Sequence, residues 1–68
     1  MKMKTEELIY KARHEFLGLP QEELSEKLQC SSKSVSRWEC GTVEVPFRVM
    51  RELIELCDEE GIDLRPFL

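Results

Sequence analysis

The sequence has no closely spaced cysteine pair and a single histidine, and their spacing argues against most sites that depend on them. The chain has three cysteines and one histidine. An odd number of cysteines with no C-x-x-C pair predicts neither a disulfide framework nor a zinc site, so we expect free thiols. Packing of Cys30 in a turn and Cys57 in a helix explains their positions better than a metal site shared with His14. We expect no metal and no cofactor.

Long apolar runs are also missing. No stretch approaches the roughly 20 residues that a membrane span requires, and the opening MKMKTEELIYK lacks the apolar core of a secretion signal. We therefore expect a cytoplasmic chain with no membrane contact. Paired carboxylates, a Gly-rich phosphate loop and a Ser-His or Cys-His arrangement are absent as well, so we expect no enzyme activity.

The composition that is present is typical of one small globular domain covering residues 1–68. Hydrophobic residues make up 41% and charged residues 35% of the chain. A domain of this length is marginally stable unless its helices pack closely or a second copy adds surface.

Apolar residues recur at helical spacing along most of the chain. The first helix is expected over residues 5–17, with Thr5 as its cap and Gly18 as its end; Lys11, Arg13 and Glu15 are placed outside, and its inner face is Leu8, Ile9, Ala12 and Phe16. A further helix is expected over residues 46–57, with Pro46 in its first position and an inner face of Phe47, Met50, Leu53, Ile54 and Cys57. Residues 62–68 are too apolar for a loose tail, so we expect them to pack on the body.

Residues 21–41 contain two short helical patterns separated by a three-residue turn. Ser31 is expected to cap the second helix by accepting a hydrogen bond from the Ser34 N–H, and Gly41 to end it. At about 100° per residue, Val35 and Trp38 fall on the inner side of this helix. The opposite arc carries Ser32, Lys33, Ser36 and Arg37. This is the layout of a helix-turn-helix that reads DNA.

The charge of the chain opposes DNA binding in total but not locally. The net charge of −4 should repel phosphate, whose neutralisation supplies most non-specific affinity. Residues 1–39 are neutral, however, and the excess acid lies in residues 40–68. From Lys27 to Arg37 there are three basic residues and no acidic residue. We therefore expect a positive charge on the helix face that would contact DNA.

With these residues identified, the chain resembles the lambda-repressor-like, Cro-type helix-turn-helix family of phage and bacterial transcriptional regulators. The resemblance runs from about residue 9 to residue 64, and its most specific stretches are LGLPQEEL and SVSRWExG. It implies an all-α, compact bundle of five short helices whose third helix enters the major groove, usually as a two-fold dimer. The function it implies is a sequence-specific DNA-binding regulator, for which we expect repression.

The resemblance also implies roles for residues. By position, Ser32, Lys33 and Arg37 correspond to readers of base edges, and Ser36 to a neighbour facing the groove. Gln21 corresponds to a phosphate contact. Arg37 can donate twice to O6 and N7 of guanine, although a solvated or phosphate-bound arginine is the alternative. For Lys33, base and phosphate contacts are equally consistent with the sequence.

The chain departs from the family pattern at three places. Relatives typically carry basic residues in the loop after the third helix, where this chain has TVEV at residues 42–45. They often have alanine and glycine where Ser25 and Gln29 stand, and glycine suits a left-handed turn. They commonly have arginine at the position of His14, paired with the glutamate that matches Glu39. We hypothesise a His14–Glu39 pair; Arg13 as the partner and an exposed histidine are the alternatives.

The expected partners are double-stranded DNA and a second copy of the chain. The dimer contact is expected on the fourth and fifth helices, where the apolar candidates are Met50, Leu53, Leu64, Phe67 and Leu68. Two alternatives remain open. The chain could be an antitoxin-like or phage-encoded regulator that binds a protein through its acidic residues 52–63. It could instead be an interaction scaffold that does not bind DNA, consistent with the acidic total and the loop without bases.

Overall fold

The computed structural model describes residues 2–68, and every regular element in this range is helical. The elements are α1 (Thr5–Lys11), its π-helical continuation (Ala12–Leu17), α2 (Gln21–Lys27), α3 (Ser32–Cys40), α4 (Phe47–Glu59) and one 3-10 turn (Arg65–Phe67). The all-α expectation is confirmed. The expected count of five helices is wrong, because the fifth is reduced to that single turn after four helices. None of the helices in the described range has the length and apolar composition of a membrane span.

One hydrophobic core holds the four helices together. Its fully or nearly buried members are Leu8, Ile9, Ala12, Leu24, Leu28, Val35, Trp38, Val49, Leu53, Cys57 and Leu64. The predicted inner face of α3 is confirmed, and that of the first helical stretch is buried at Leu8, Ile9 and Ala12 but only half-buried at Phe16. On α4 the prediction holds for Leu53 and Cys57. It was wrong for Phe47, which is 78% exposed, and only partly right for Met50 and Ile54, which are half-buried, while Val49 is fully buried instead. The buried row of α4 therefore follows a spacing of four residues through Val49, Leu53 and Cys57.

The helix ends follow from local backbone chemistry. Gly18 ends the first helical stretch and Gly41 ends α3, both with a positive φ that glycine adopts without steric cost. The Ser31 hydroxyl accepts the Ser34 N–H at 3.1 Å, as predicted. Two expected starts were wrong by one residue. Thr5 is the first residue of α1 rather than its cap, and Pro46 precedes α4. The N-cap residues, Lys4 and Pro46, both have an extended backbone, and neither side chain accepts a capping hydrogen bond.

The closing segment packs on the π-helical continuation of α1, as its apolar content predicts. Leu64 is fully buried, and the Phe67 ring lies against the Phe16 ring with centroids 5.7 Å apart. The Met3 N–H donates to the Phe67 carbonyl at 2.9 Å. The two ends of the described chain are thus joined at the C-terminal half of the first helical stretch.

The turn between α2 and α3 has the shape that a glycine would give it, although Gln29 occupies the position. Gln29 has φ +55°, and no other non-glycine residue in residues 2–68 has a positive φ. This backbone brings the Cys30 N–H to the Ser25 carbonyl at 2.9 Å, which closes the end of α2. The Ser25 hydroxyl in turn donates to the Glu22 carbonyl at 2.7 Å, so the buried serine is satisfied. The angle between α2 and α3 is therefore reached at the expense of strain at Gln29.

Replacement of Gln29 by glycine should stabilise the protein. A left-handed backbone costs an L-residue roughly 1–2 kcal/mol, and glycine returns part of that gain through its larger unfolded-state entropy. We expect Gln29→Gly to raise the free energy of unfolding by about 0.5–1 kcal/mol in urea titrations. Gln29→Ala is the matched control, since alanine keeps the Cβ and should give no gain. Equal stability of the two variants would contradict the strained turn.

The three thiols differ in burial and should differ in reactivity. Cys57 is fully buried, Cys30 is half-buried and Cys40 is exposed at the end of α3. Burial away from water raises the pKa of the Cys57 thiol to about 11, with a smaller contribution from the charge of Asp58. Burial of Cys30 also raises its thiol pKa. Packing in the turn was expected to bury Cys30, and the structure corrects this to a half-buried residue.

A thiol reagent should therefore distinguish the three cysteines in the folded protein. Because the thiolate is the reactive form, we expect Cys40 to react first at pH 8 and Cys57 to stay unmodified until the protein unfolds. Mass spectrometry of peptides after timed labelling measures each rate. Labelling in urea gives the control, in which the rates should converge. Early modification of Cys57 in buffer would refute the burial of the α4 inner face.

Candidate nucleic-acid interface

The outer face of α3 presents a short polar surface, which we define as Ser32, Lys33, Ser36 and Arg37. Lys33 and Arg37 are exposed, while Ser32 and Ser36 are half-buried. No hydrogen bond or ion pair within residues 2–68 occupies either cationic side chain. The two cations are four residues apart and so lie one helical turn from each other. The polar surface can therefore donate to an external acceptor without breaking an internal contact.

The inner face of α3 is fixed in the core. Val35 is fully buried and Trp38 is 6% exposed. Leu24 and Leu28 of α2 are buried in the same cluster, and α3 packs against both α2 and α1. The burial of Trp38 fits core packing rather than base stacking, in agreement with the sequence analysis. A helix held along its whole inner side can present its outer side in one orientation.

Glu39 fixes the C-terminal half of α3 through its carboxylate. The Arg13 guanidinium donates from Nε to Oε2 at 2.5 Å and from the terminal Nη2 to Oε1 at 3.1 Å. The remaining terminal nitrogen, Nη1, donates to the Leu19 carbonyl at 2.8 Å. Both side chains are nearly buried, with 10% and 7% of their surface exposed. This forked, charge-assisted contact joins α3 to the π-helical segment and to the linker that follows it.

The predicted His14–Glu39 pair is wrong, and Arg13, the alternative partner, makes the contact. His14 is exposed, and its ring stacks on Tyr10 with centroids 5.3 Å apart. The placement of Arg13 outside the helix was also wrong, since this residue is only 8% exposed. Neighbouring helical residues differ by about 100° in direction, so one of the two faces Glu39 and the other faces water. The fork of arginine satisfies two carboxylate oxygens and a carbonyl at once, which imidazole cannot do.

Gln21 lies at the first turn of α2, and its side chain belongs to the same network. Its amide Nε2 donates to Glu39 Oε1 at 3.0 Å. The residue is half-buried, and an amide nitrogen carries a second N–H that this bond does not use. The structure therefore assigns Gln21 an internal role that the sequence analysis missed. Its phosphate contact stays a prediction.

The loop after α3 supplies no cation. Thr42, Val43 and Glu44 are exposed, whereas Val45 is half-buried against the core. The Thr42 N–H donates to the Arg37 carbonyl at 3.0 Å, which fixes the start of the loop. Gly41 starts the turn into the loop with φ +77°, a left-handed backbone that favours glycine, and a Cβ there would only have to displace the flexible end of the Glu6 side chain. The positive charge near the outer face of α3 thus comes from α3 itself and from the exposed Lys27 at the end of α2.

Comparison of the chain with protein-family models, with curated proteins and with solved structures found no match. Within residues 2–68, no group of three or more His, Cys, Asp and Glu side chains is placed so that it could hold a metal ion. The candidate interface consists of the exposed polar face of α3, the buried reverse side of the same helix and a buried ion pair between Arg13 and Glu39, which we call the ionic anchor.

Thermal or urea unfolding of alanine variants should show that Arg13 and Glu39 are coupled. Removal of one member leaves the other buried and uncompensated, at a cost of about 3 kcal/mol. We expect Arg13→Ala and Glu39→Ala each to destabilise by this amount. The double variant should lose clearly less than the two losses added, with a coupling of more than about 1 kcal/mol.

His14→Ala serves as the control for this cycle. The exposed ring should be replaceable within about 0.5 kcal/mol, and His14→Ala should add independently to Glu39→Ala. Additive losses for Arg13 and Glu39, or coupling at His14, would contradict the observed pairing.

Proposed function

We propose that this chain is a sequence-specific, DNA-binding transcriptional regulator, acting as a repressor, that places α3 in the major groove. The observation that carries the proposal is the state of Lys33 and Arg37. Both are exposed and without an internal partner in the described residues, on a helix whose reverse side is buried. The resemblance to lambda-repressor-like regulators supports the same interpretation. The helix-turn-helix docking mode places the leading residues of such a helix against base edges.

The roles within the site follow from side-chain chemistry. Arg37 is the proposed reader of guanine, because its planar fork matches the O6 and N7 acceptors and a bidentate pair is worth about 1–3 kcal/mol of discrimination. Lys33 is a flexible point charge that can reach a base or a phosphate. Ser32 and Ser36 offer hydroxyls that donate or accept. Gln21 would contact a phosphate with the N–H that Glu39 leaves free.

The net negative charge of the chain does not prevent contact between α3 and DNA. Salt at physiological strength screens charges over about 8 Å, so nearby cations outweigh acids on distant elements. The excess acid is concentrated in α4 and the residues after it, where Glu55, Asp58, Glu59, Glu60 and Asp63 are exposed. The loop with Val43 and Glu44 removes phosphate contacts that a basic loop would add. We therefore propose weak non-specific binding, with specificity resting on few contacts.

The salt dependence of binding to duplex DNA tests the proposal. We expect affinity that falls steeply with salt, because each neutralised phosphate releases counterions. Lys33→Ala and Arg37→Ala should each weaken binding, and Lys33→Ala should also reduce the slope of log K against log salt by about one if Lys33 contacts a phosphate. Fluorescence anisotropy with a labelled random duplex measures both quantities.

Arg65→Ala is the control for the loss of one positive charge. Arg65 is exposed in the closing turn and paired with Asp63 at 2.9 Å, so its removal should leave the slope unchanged. Undetectable binding at low salt would reject the regulator and favour a protein-interaction scaffold or an antitoxin-like partner. An equal effect of all three variants would indicate binding by net charge alone.

A further inference from the structure

A small cavity lies where the C-terminal ends of three helical segments meet. Its volume is about 210 Å³, and the residues that line it are Phe16, Leu17, Leu19, Lys27, Leu56 and Glu60. The first two close the π-helical segment, Lys27 ends α2, and the last two lie at the end of α4. Leu19 belongs to the linker that precedes α2. The cavity includes none of the polar surface of α3, so it is a separate site.

The cavity offers apolar surface that the fold does not use fully. Its four apolar lining residues are half-buried at the edge of the hydrophobic core. By contrast, Leu53 and Leu64, which were expected from sequence to face a second copy, are fully buried and unavailable. Cavities that take drug-sized ligands measure about 300–1,000 Å³. A cavity of about 210 Å³ therefore suits a smaller ligand, with an apolar part the size of one side chain.

Two exposed side chains of opposite charge border the apolar lining. Neither the Lys27 ammonium nor the Glu60 carboxylate belongs to a hydrogen bond or ion pair within residues 2–68. Glu60 caps the C-terminal end of α4, whose last turn has no basic residue. The partial negative charge of that helix end therefore adds to the Glu60 carboxylate. A ligand that carries both a carboxylate and an ammonium group is complementary to this pair.

We propose that this cavity binds a free α-amino acid with an apolar side chain. The side chain packs on the apolar lining, the α-carboxylate accepts a hydrogen bond from Lys27, and the α-ammonium donates to Glu60. Such a ligand carries both charges on one carbon atom, and the long side chains of Lys27 and Glu60 can reach it from two helix ends. The competing occupant is an apolar side chain within a protein segment, which carries neither charge.

The cavity is connected to the ionic anchor through Leu19. The Leu19 carbonyl accepts from Arg13 Nη1 at 2.8 Å, and the Leu19 N–H donates to the Arg13 carbonyl at 2.9 Å. Arg13 in turn holds Glu39 of α3. A ligand packed on Leu19 therefore restrains the linker to which α3 is joined. Control of DNA binding by this ligand would rest on the proposed function, whereas the binding of the ligand does not.

Titration with L-leucine tests the site without DNA. We expect saturable shifts of the methyl NMR signals of Leu17, Leu19 and Leu56, with a dissociation constant of about 1 mM, because a ligand of so few atoms gains limited affinity. Glycine has both charges but no side chain, and it should leave these signals unchanged. No saturable shift up to the solubility limit of leucine, or equal shifts with glycine, would overturn the proposal.

Leucine derivatives test the two charged contacts. N-acetyl-L-leucine lacks the ammonium and L-leucinamide lacks the carboxylate, so we expect each to bind about fivefold more weakly than leucine, as the loss of a partly exposed ion pair implies. N-acetyl-L-leucinamide lacks both charges and imitates leucine within a protein segment. If it binds as tightly as leucine, the cavity accepts a protein side chain and the amino-acid proposal is wrong.

Charge-neutralising variants assign each contact to its residue. Lys27→Met should weaken leucine binding about fivefold but leave leucinamide binding unchanged, because that ligand has already lost the carboxylate. Glu60→Gln should weaken leucine binding equally and leave N-acetyl-leucine binding unchanged. Lys33→Met and Glu59→Gln are the matched controls, since these exposed charged residues do not line the cavity. Circular dichroism should show equal helicity throughout. Equal effects of the control variants, or losses that multiply between variant and derivative, would contradict the assigned contacts.

Discussion

The orientation of α3 depends on one carboxylate. Glu39 accepts bonds from Arg13 and Gln21, so a single side chain of α3 is joined to the π-helical segment and to the start of α2. Arg13 extends the network to the backbone of the linker between them. Hydrophobic packing of Val35 and Trp38 buries the helix but is non-directional. The ionic network adds direction, because a forked pair tolerates little rotation of α3 about its axis.

The ionic anchor, Arg13 with Glu39, contributes more to the orientation of α3 than to the net free energy of unfolding. Burial of both charges requires their desolvation, which their attraction largely offsets, so an apolar replacement of similar volume would stabilise about as well. No buried side-chain nitrogen or oxygen in the described residues lacks a hydrogen-bond partner. The strained Gln29 has the same character, since its left-handed backbone opposes stability and sets the angle between α2 and α3. In both places an interaction that costs free energy fixes the position of the outer face of α3.

Much of this architecture could be predicted from sequence, because its signals are local. The apolar period of 3.6 residues predicts the helices, and Ser31 predicts the start of α3. Gly18 and Gly41 predict where the first helical stretch and α3 end. The predictions were wrong where the sequence pattern allowed either of two nearby residues on a helix to face the core. Apolar residues at 47, 49, 50, 53 and 54 fit two rotations of α4, and only its tertiary packing, which includes contact with the π-helical segment, buries Val49 rather than Phe47. Likewise, one step of about 100° separates Arg13 from His14, and the π-helical backbone that orients Arg13 has no sequence signal.

The proposed function requires that the polar surface of α3 contacts DNA while the rest of the fold stays fixed. The most direct measurement is the change in backbone amide NMR signals when a short duplex is added at low salt. If the polar surface enters the groove, the perturbed signals are those of residues 31–37 and of the Arg37 side chain, and the amide signals of the core residues do not change. Perturbations confined to α4 and the closing segment, or none at saturating duplex, would contradict it.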